Sequence, residues 1–338
     1  MNICLLGFGS IGKIYYKLII KHFKFDKFVI IDKSFILSKR KKNIFFFQSY
    51  NDLDFNINFS HVFIALPSHL HYEAAKFFLK KKANVLIEKP FVLKSTEATQ
   101  LIKLKNKYKK KCWVMFQNRA NKSVQLLKSL LNKNYIGEVK LLRGSLIWSR
   151  DFEYYNSDWR GKYSFDGGVL TNQTIHLLDM IYYLFGPINN FNFLALFDKA
   201  KLQAEDLILI NGLLKTKIPI SLSATTRANK DYSVELDIIG SKKRIILNGI
   251  SLNKLIFFDK LDNKIYGKSH NENFKYGYGN GHQKVLSYFF KSSENDYFDL
   301  SIEKNSFIVN FINSVYSEVI NKKKKLSKIK KKNSILGS

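Results

Sequence analysis

At 338 residues, 46% apolar and 25% charged, the chain is long enough for two domains with cores of their own and has the balance of a globular protein. No run approaches twenty uninterrupted apolar residues, which argues against a membrane-spanning helix. The net charge of +29 raises nucleic acid as a partner, but only seven of the 56 basic residues are Arg, so solvated lysines account for it and no specific nucleic-acid partner is expected.

The chain opens on MNICLLGFGSIG. Ile3 to Leu6 is an apolar run that fits a buried parallel strand, Gly7, Gly9 and Gly12 stand at GxGxxG spacing, and a helix is expected over 13–23. The first glycine permits a tight turn, the second lets backbone approach a pyrophosphate, and the third lets helix pack on strand. Free N–H groups at the helix N-terminus, from Phe8, Ser10 and Ile11 around these glycines, suit that anion. A second apolar run, Phe28 to Ile31, ends at Asp32, where a carboxylate accepts hydrogen bonds from ribose hydroxyls and repels a 2′-phosphate. The expected cofactor is therefore NAD rather than NADP. The N-terminus lacks a basic n-region, and Cys4 and Cys112 both fall in predicted buried strands, so reduced thiols in a cytoplasmic protein are expected. The cysteines have no metal-site spacing, and no metal is expected.

Strands are predicted over 43–50 and 61–66, a helix opening at Pro67 and running to Lys81, and a strand over 84–87 ending in Glu88-Lys89-Pro90. A helix over 95–109 leads to a strand over 112–116. This alternation predicts a doubly wound parallel sheet, a Rossmann-type α/β domain over residues 1–117. Beyond Gln117 come a helix over 122–131, a long strand over 140–148, an aromatic loop over 154–165 and a helix from Gly168 to Gly186. Strand-like segments then follow at 206–214, 218–226, 233–239, 244–247 and 255–259, with no crossover helices between them. They predict an α+β domain over 118–320 with a mostly antiparallel open sheet. Helices over 281–290 and 305–320 and a basic tail over 321–338 complete the chain.

GFGSIG, PSHLHYEAAKFFLKKKANVLIEKP, DGGVLTNQTIHLLD, AEDLILINGLL and GYGNGHQKVLSYFF occur in the order they have in the Gfo/Idh/MocA family of NAD(P)-dependent sugar oxidoreductases, which the chain resembles from end to end. The resemblance implies that Lys89 stands at the nicotinamide and the substrate. It follows a parallel strand at its carboxyl end, where ligands of open α/β sheets bind. It also implies that His176 acts with Lys89 on the substrate hydroxyl, a role that suits a near-neutral base. On one continuous helix, Asn172 and His176 would share a face and Asp179 would neighbour His176 as a supporting carboxylate. Pro67, His71, Glu88 and Lys89 complete the candidate cofactor contacts, with a structural or peripheral role the alternative for His71 and the reading for His69 and His282.

Two departures from the family pattern stand out: Asn172 where many relatives have Asp, and Asp166-Gly167-Gly168 where they have three glycines. The Asn172-Gln173-Thr174-Ile175-His176 sequence resembles relatives acting on UDP-activated amino sugars or their uronates. Arg119 and Arg160 are each either a bidentate fork for a substrate carboxylate or phosphate or a structural ion pair, and Tyr155 and Gln173 are further substrate candidates by position. The expected reaction is oxidation of a sugar ring hydroxyl to a keto sugar, in surface-glycan biosynthesis. The alternatives are a free-polyol dehydrogenase or ketone or imine reductase of the same fold, and a nucleotide-binding sensor without turnover. An anionic sugar substrate and a homodimer or homotetramer are the expected partners.

Overall fold

The computed structural model describes residues 1–338 apart from 37–38, 53–56, 156–158, 198–202, 268–270, 273–280, 292–295 and 334–338. Part of the GYGNGHQKVLSYFF segment and of the basic tail therefore lies outside the described residues. The first sheet contains β1 (Asn2–Leu6), β2 (Lys27–Ile31), β3 (Lys39–Lys41), β4 (Ile44–Phe47), β5 (His61–Ile64), β6 (Asn84–Ile87) and β7 (Cys112–Val114), in the order β3-β4-β2-β1-β5-β6-β7. All pairings are parallel except that of β3 with β4. The apolar runs of β1 and β2 are continuous because both faces are covered, leaving Ile3 to Leu6 and Phe28 to Ile31 buried. The short, charged β3 has no apolar pattern to reveal it, and it closes the sheet edge.

Helices α1 (Ser10–His22), α2 (His71–Lys80) and α3 (Ser95–Tyr108) make the crossovers. Strand order reverses between β1 and β5, so the crevice beyond their carboxyl ends is the switch point at which doubly wound sheets bind ligands.

The second sheet contains β8 (Val139–Ile147), β9 (Ile188–Leu196), β10 (Leu207–Leu214), β11 (Pro219–Thr225), β12 (Val234–Gly240), β13 (Arg244–Gly249) and β14 (Lys254–Phe257), ordered β14-β13-β12-β8-β11-β10-β9. Only β8 and β11 pair in parallel. β9 is an addition to the sequence expectation, which placed no strand between the helix ending at Gly186 and the segment from 206. The inner face of this sheet buries Leu142, Leu222, Leu236 and Leu247, whereas Leu194 and Leu209 on the outer face stay 51% and 39% exposed.

The remaining helices are α4 (Lys122–Asn132), α5 (Phe152–Tyr155), α6 (Val169–Asn172), α7 (Ile175–Phe185), α8 (Lys260–Asp262), α9 (Gly281–Lys291) and α10 (Ile302–Asn333). Two differences from expectation matter. The helix predicted from Gly168 is broken at Gln173-Thr174 into α6 and α7, and α9 and α10 pack back on the first sheet. Phe289 meets Phe63 and Trp113 with ring centroids 5.7 and 5.5 Å apart, and Val114 N–H donates to the Leu300 carbonyl at 2.8 Å. α10 also continues as helix to Asn333, through much of the stretch expected to be a tail.

Candidate functional site

The glycine turn has the steric logic of a dinucleotide cradle. Gly7 has φ +92°, and a Cβ there would lie 2.3 Å from the Ala65 carbonyl oxygen; a Cβ on Gly12 would lie 2.1 Å from that of Gly7. A Cβ on Gly9 would meet nothing within 4 Å, so the backbone at Gly9 faces open space. Ser10 and Ile11 begin α1, whose N-terminus has no side-chain cap and no acidic residue in its first turn, leaving its N–H groups available to an anion.

Asp32 ends β2 beside this turn and accepts hydrogen bonds from Phe8 N–H at 2.5 Å and Ser34 N–H at 2.8 Å. Partial burial pushes its carboxyl up, but the bonds from Ser34 and Phe8 outweigh this and hold it below the usual carboxylate value. The Phe8 ring packs on Tyr16 and Phe35 and its N–H is taken by Asp32, so, against expectation, Phe8 offers no free donor to an anion and that part falls to Ser10 and Ile11. Room over Gly9, free N–H groups and an ionised acid at the next strand end fit a dinucleotide. Among the described residues no group of three or more His, Cys, Asp or Glu could hold a metal ion.

His71 is not an open cofactor contact. It is 1% exposed, with Nδ1 2.8 Å from the Pro90 carbonyl and Nε2 2.7 Å from that of Leu66. Burial pushes its pKa down to about 4 despite these acceptors, so the ring is neutral and its single N–H donates to one of the two carbonyls.

At the carboxyl end of β6, buried Glu88 accepts from the Tyr15 hydroxyl, with His282 Nε2 3.9 Å from its Oε1. Burial pushes the Glu88 carboxyl up against that bond and the Lys89 charge. Lys89 Nζ donates to the Asn172 carbonyl at 3.0 Å, at the last residue of α6. Burial pulls the Lys89 pKa down, opposed by the Glu88 and Asp166 carboxylates. Asp166 is 3% exposed and accepts from Asn172 Nδ2 and, at 3.2 Å, from Ser68 Oγ. Sequence reasoning noted Asp166 only as a departure from a glycine run. The fold makes it the acid that fixes the Asn172 amide and faces the Lys89 charge.

His176 lies in the first turn of α7, half-buried, and its Nδ1 is buried without a hydrogen-bond partner among the described residues. Burial first, then the positive charges of Lys89 and His282, hold its pKa well below the usual value, so the ring is neutral at physiological pH.

Asp179 does not support His176. It is fully buried against Arg119, whose Nε donates to Oδ1 at 3.0 Å while Nη2 donates to the same oxygen. Arg119 also donates to the carbonyls of Phe298 and Asp299 at 3.0 and 2.6 Å and to Asn305 Oδ1 at 2.5 Å. With these acceptors around it and 2% exposure it is a structural cross-brace joining the turn after β7, α7 and the start of α10, not a substrate fork. Once both groups are withdrawn from water, desolvation drives each charge to the strongest available counter-charge. Burial raises the Asp179 carboxyl to about 6 against the pull of Arg119.

The other substrate candidates form a wall built on Tyr154, which sequence reasoning did not single out. Gln173 Nε2 donates to the Tyr154 hydroxyl at 3.0 Å, and the Arg160 guanidinium lies 4.1 Å over its ring. The Arg160 charge also acts on Asp166. Tyr155 pairs its hydroxyl with Thr226 Oγ1 at 2.9 Å. Behind α6, Glu205 Oε1 accepts from Leu170 N–H at 3.0 Å and from the Tyr316 hydroxyl at 3.1 Å, fixing the turn that carries Asp166 and Asn172.

The sequence matches two family descriptions, an oxidoreductase-family NAD-binding Rossmann fold over residues 1–116 and the GFO/IDH/MocA C-terminal domain over residues 124–246. It is 29% identical over 220 residues to an uncharacterized oxidoreductase of Synechocystis, covering 60% of this chain and 59% of that one. To a glucose-6-phosphate 3-dehydrogenase of Bacillus subtilis it is 26% identical over 215 residues, covering 58% and 59%. The chain thus spans about three fifths of the length of these curated relatives. The crystal structure of the WlbA dehydrogenase from Bordetella pertussis in complex with NADH and UDP-GlcNAcA has the same fold, with a TM-score of 0.81 at 20% identity over 95% of this chain and 96% of that one. With the glycine cradle, Asp32 and the two matched domains in chain order, the protein belongs to the GFO/IDH/MocA oxidoreductase family, and its first domain is that family's NAD-binding Rossmann fold.

Proposed function

We propose that the protein is an NAD-dependent dehydrogenase that oxidises a ring hydroxyl of a sugar to a ketone. The observation that carries this reading is that Lys89 Nζ donates to the Asn172 carbonyl at the end of α6, four residues before His176, whose neutral ring feels the Lys89 charge. NAD, when bound, supplies the two-electron acceptor. Gly7, Gly9 and Gly12 give its pyrophosphate close approach to the backbone, and Asp32 takes the ribose and repels a 2′-phosphate. His176, whose ring burial and the Lys89 charge hold neutral, accepts the hydroxyl proton as a general base. The Lys89 ammonium stabilises negative charge developing on the same oxygen. The Asn172 carbonyl accepts from that ammonium, and the Asp166 carboxylate, which holds the Asn172 amide, favours its charge.

Three observations support a phosphate-bearing, nucleotide-activated sugar or its uronate as substrate. Arg160 stands on the wall beside Asp166, the relative from Bacillus subtilis is named for a sugar phosphate, and the Bordetella pertussis enzyme was crystallised with UDP-GlcNAcA. A cytoplasmic role in surface-glycan biosynthesis fits such a substrate. The outer face of the second sheet, with Leu194, Leu196, Leu209 and Leu213 exposed, suits a second copy of the chain. The test is absorbance of reduced nicotinamide with NAD, then NADP, against UDP-sugars and UDP-uronates, for the natural protein and for Lys89→Met and His176→Ala. Each variant should lose about 100-fold or more in turnover while still binding NAD. Near-normal turnover in both would refute the mechanism.

A further inference from the structure

The candidate active site occupies the carboxyl ends of β1, β5 and β6. At the opposite edge of the same sheet, by the amino ends of β5, β6 and β7, lies a cleft of about 1030 Å³ whose floor includes His61, Asn84 and Trp113. Six lysines from three separated segments line it: Lys105, Lys109, Lys110 and Lys111 at the end of α3 and the turn after it, Lys291 at the end of α9, and Lys304 in α10. Two of them are neutralised, Lys105 by Glu303 and Lys304 by Asp299. Lys109, Lys110 and Lys291 have no carboxylate in ion-pair contact among the described residues. The one acidic side chain of the lining among the described residues, Asp296, is engaged by its own chain, accepting from Leu300 N–H at 2.6 Å and Ser301 N–H at 2.7 Å.

Lys111 is half-buried, 5.7 Å over the Trp113 ring, and burial pushes its pKa down. Tyr297, 58% exposed and stacked on Tyr288, adds an aromatic wall.

Like charges gathered round one cavity repel one another, and the repulsion is relieved by a multiply charged anion in the middle. Ammonium groups act on phosphate as point charges and need no planar fork, which suits the long side chains of lysine. The volume is that of a small-ligand site, and the basic groups border one open cleft. We propose that this cleft binds a small oligophosphate, either free or carried by a nucleoside, with Lys109, Lys110 and Lys291 on the phosphates and Tyr297 beside any attached base.

Calorimetric titration of the full chain, saturated with NAD so that the glycine cradle is filled, tests this with inorganic tripolyphosphate and with ATP as probes. Both should bind saturably at one site per chain. The triple variant Lys109→Gln, Lys110→Gln, Lys291→Gln should weaken binding tenfold or more. A charge-matched control in the turns of the second sheet, Lys215→Gln, Lys217→Gln, Lys242→Gln, should change it less than twofold. Thermal unfolding and NAD binding should be unchanged in both variants. Tighter binding of ATP than of tripolyphosphate assigns the nucleoside-bearing form, and equal binding assigns the phosphate chain alone. The proposal fails if binding is not saturable, or if the two triple variants weaken it equally, since diffuse net charge then explains it. It also fails if oligonucleotides bind with affinity that grows with length and depends on the same lysines, which would make the cleft part of a nucleic-acid surface.

Discussion

Glu205→Gln isolates one buried charge and has a calculable pH signature. Glu205 is 1% exposed; its Oε1 accepts from Leu170 N–H and the Tyr316 hydroxyl, while its Oε2 is buried with no hydrogen-bond partner among the described residues. Burial raises its pKa from 4.5 to about 7, the hydrogen bonds opposing it and the neighbouring Asp206 charge adding to it. The native carboxyl therefore holds its proton more tightly than the unfolded chain does. The stability this contributes is complete below 4.5 and is lost as pH rises through about 7. Each tenfold gain in proton affinity on folding is worth about 1.4 kcal/mol, so the loss comes to about 3 kcal/mol. Gln keeps the acceptor at Oε1 and cannot ionise, so it lacks this loss.

Urea unfolding of both proteins at several values between about pH 5 and about pH 8 measures the difference, and taking the difference cancels the other titrating groups. The stability of the variant relative to the natural protein should climb by about 2–3 kcal/mol across that range. A difference that does not change with pH would mean that Glu205 ionises with an ordinary pKa, and the reasoning from its burial would be wrong.

Two further substitutions separate the cofactor cradle from the structural frame. Gly9→Ala adds a Cβ into open space, so the unfolding midpoint should barely move while NAD affinity, read by fluorescence titration, falls tenfold or more; undiminished affinity would place the pyrophosphate elsewhere. Gly7→Ala should instead lower the unfolding midpoint itself, because its Cβ meets the Ala65 carbonyl at a positive φ. Arg119→Met leaves the Asp179 carboxylate buried without its cation and should cost about 3–5 kcal/mol in urea unfolding, with substrate KM little changed in the folded fraction. A large rise in KM at unaltered stability would return Arg119 to the substrate.

The legible parts of the chain are those governed by neighbours in sequence. β6 runs over the four residues expected, Asn84–Ile87, because a strand buried on both faces reads as an uninterrupted apolar run between polar ends. The glycine turn was equally plain, since Gly7 and Gly12 are each required by a backbone oxygen only a few ångströms away. β9 was not legible, because its outward residues mix asparagine with exposed leucine and give no clean alternation. Nor was the break between α6 and α7, where neither Gly nor Pro marks the end of a helix and the carbonyl of Asn172 is instead claimed by Lys89.

By itself the sequence determined the α/β and α+β plan and the glycine turn of the first domain, while the pairing of Lys89 with His176 as candidates for chemistry came from the family resemblance. Which charges meet was decided by the tertiary structure. Arg119 reaches Asp179 across 60 residues, Lys89 reaches Asn172 across 83, and Asp166 is brought beside both Asn172 and Ser68. The physical reason is that spacing along a strand or helix fixes only short-range geometry. A buried charge is placed by the cost of leaving water, and that cost selects a partner from wherever in the chain the fold brings one.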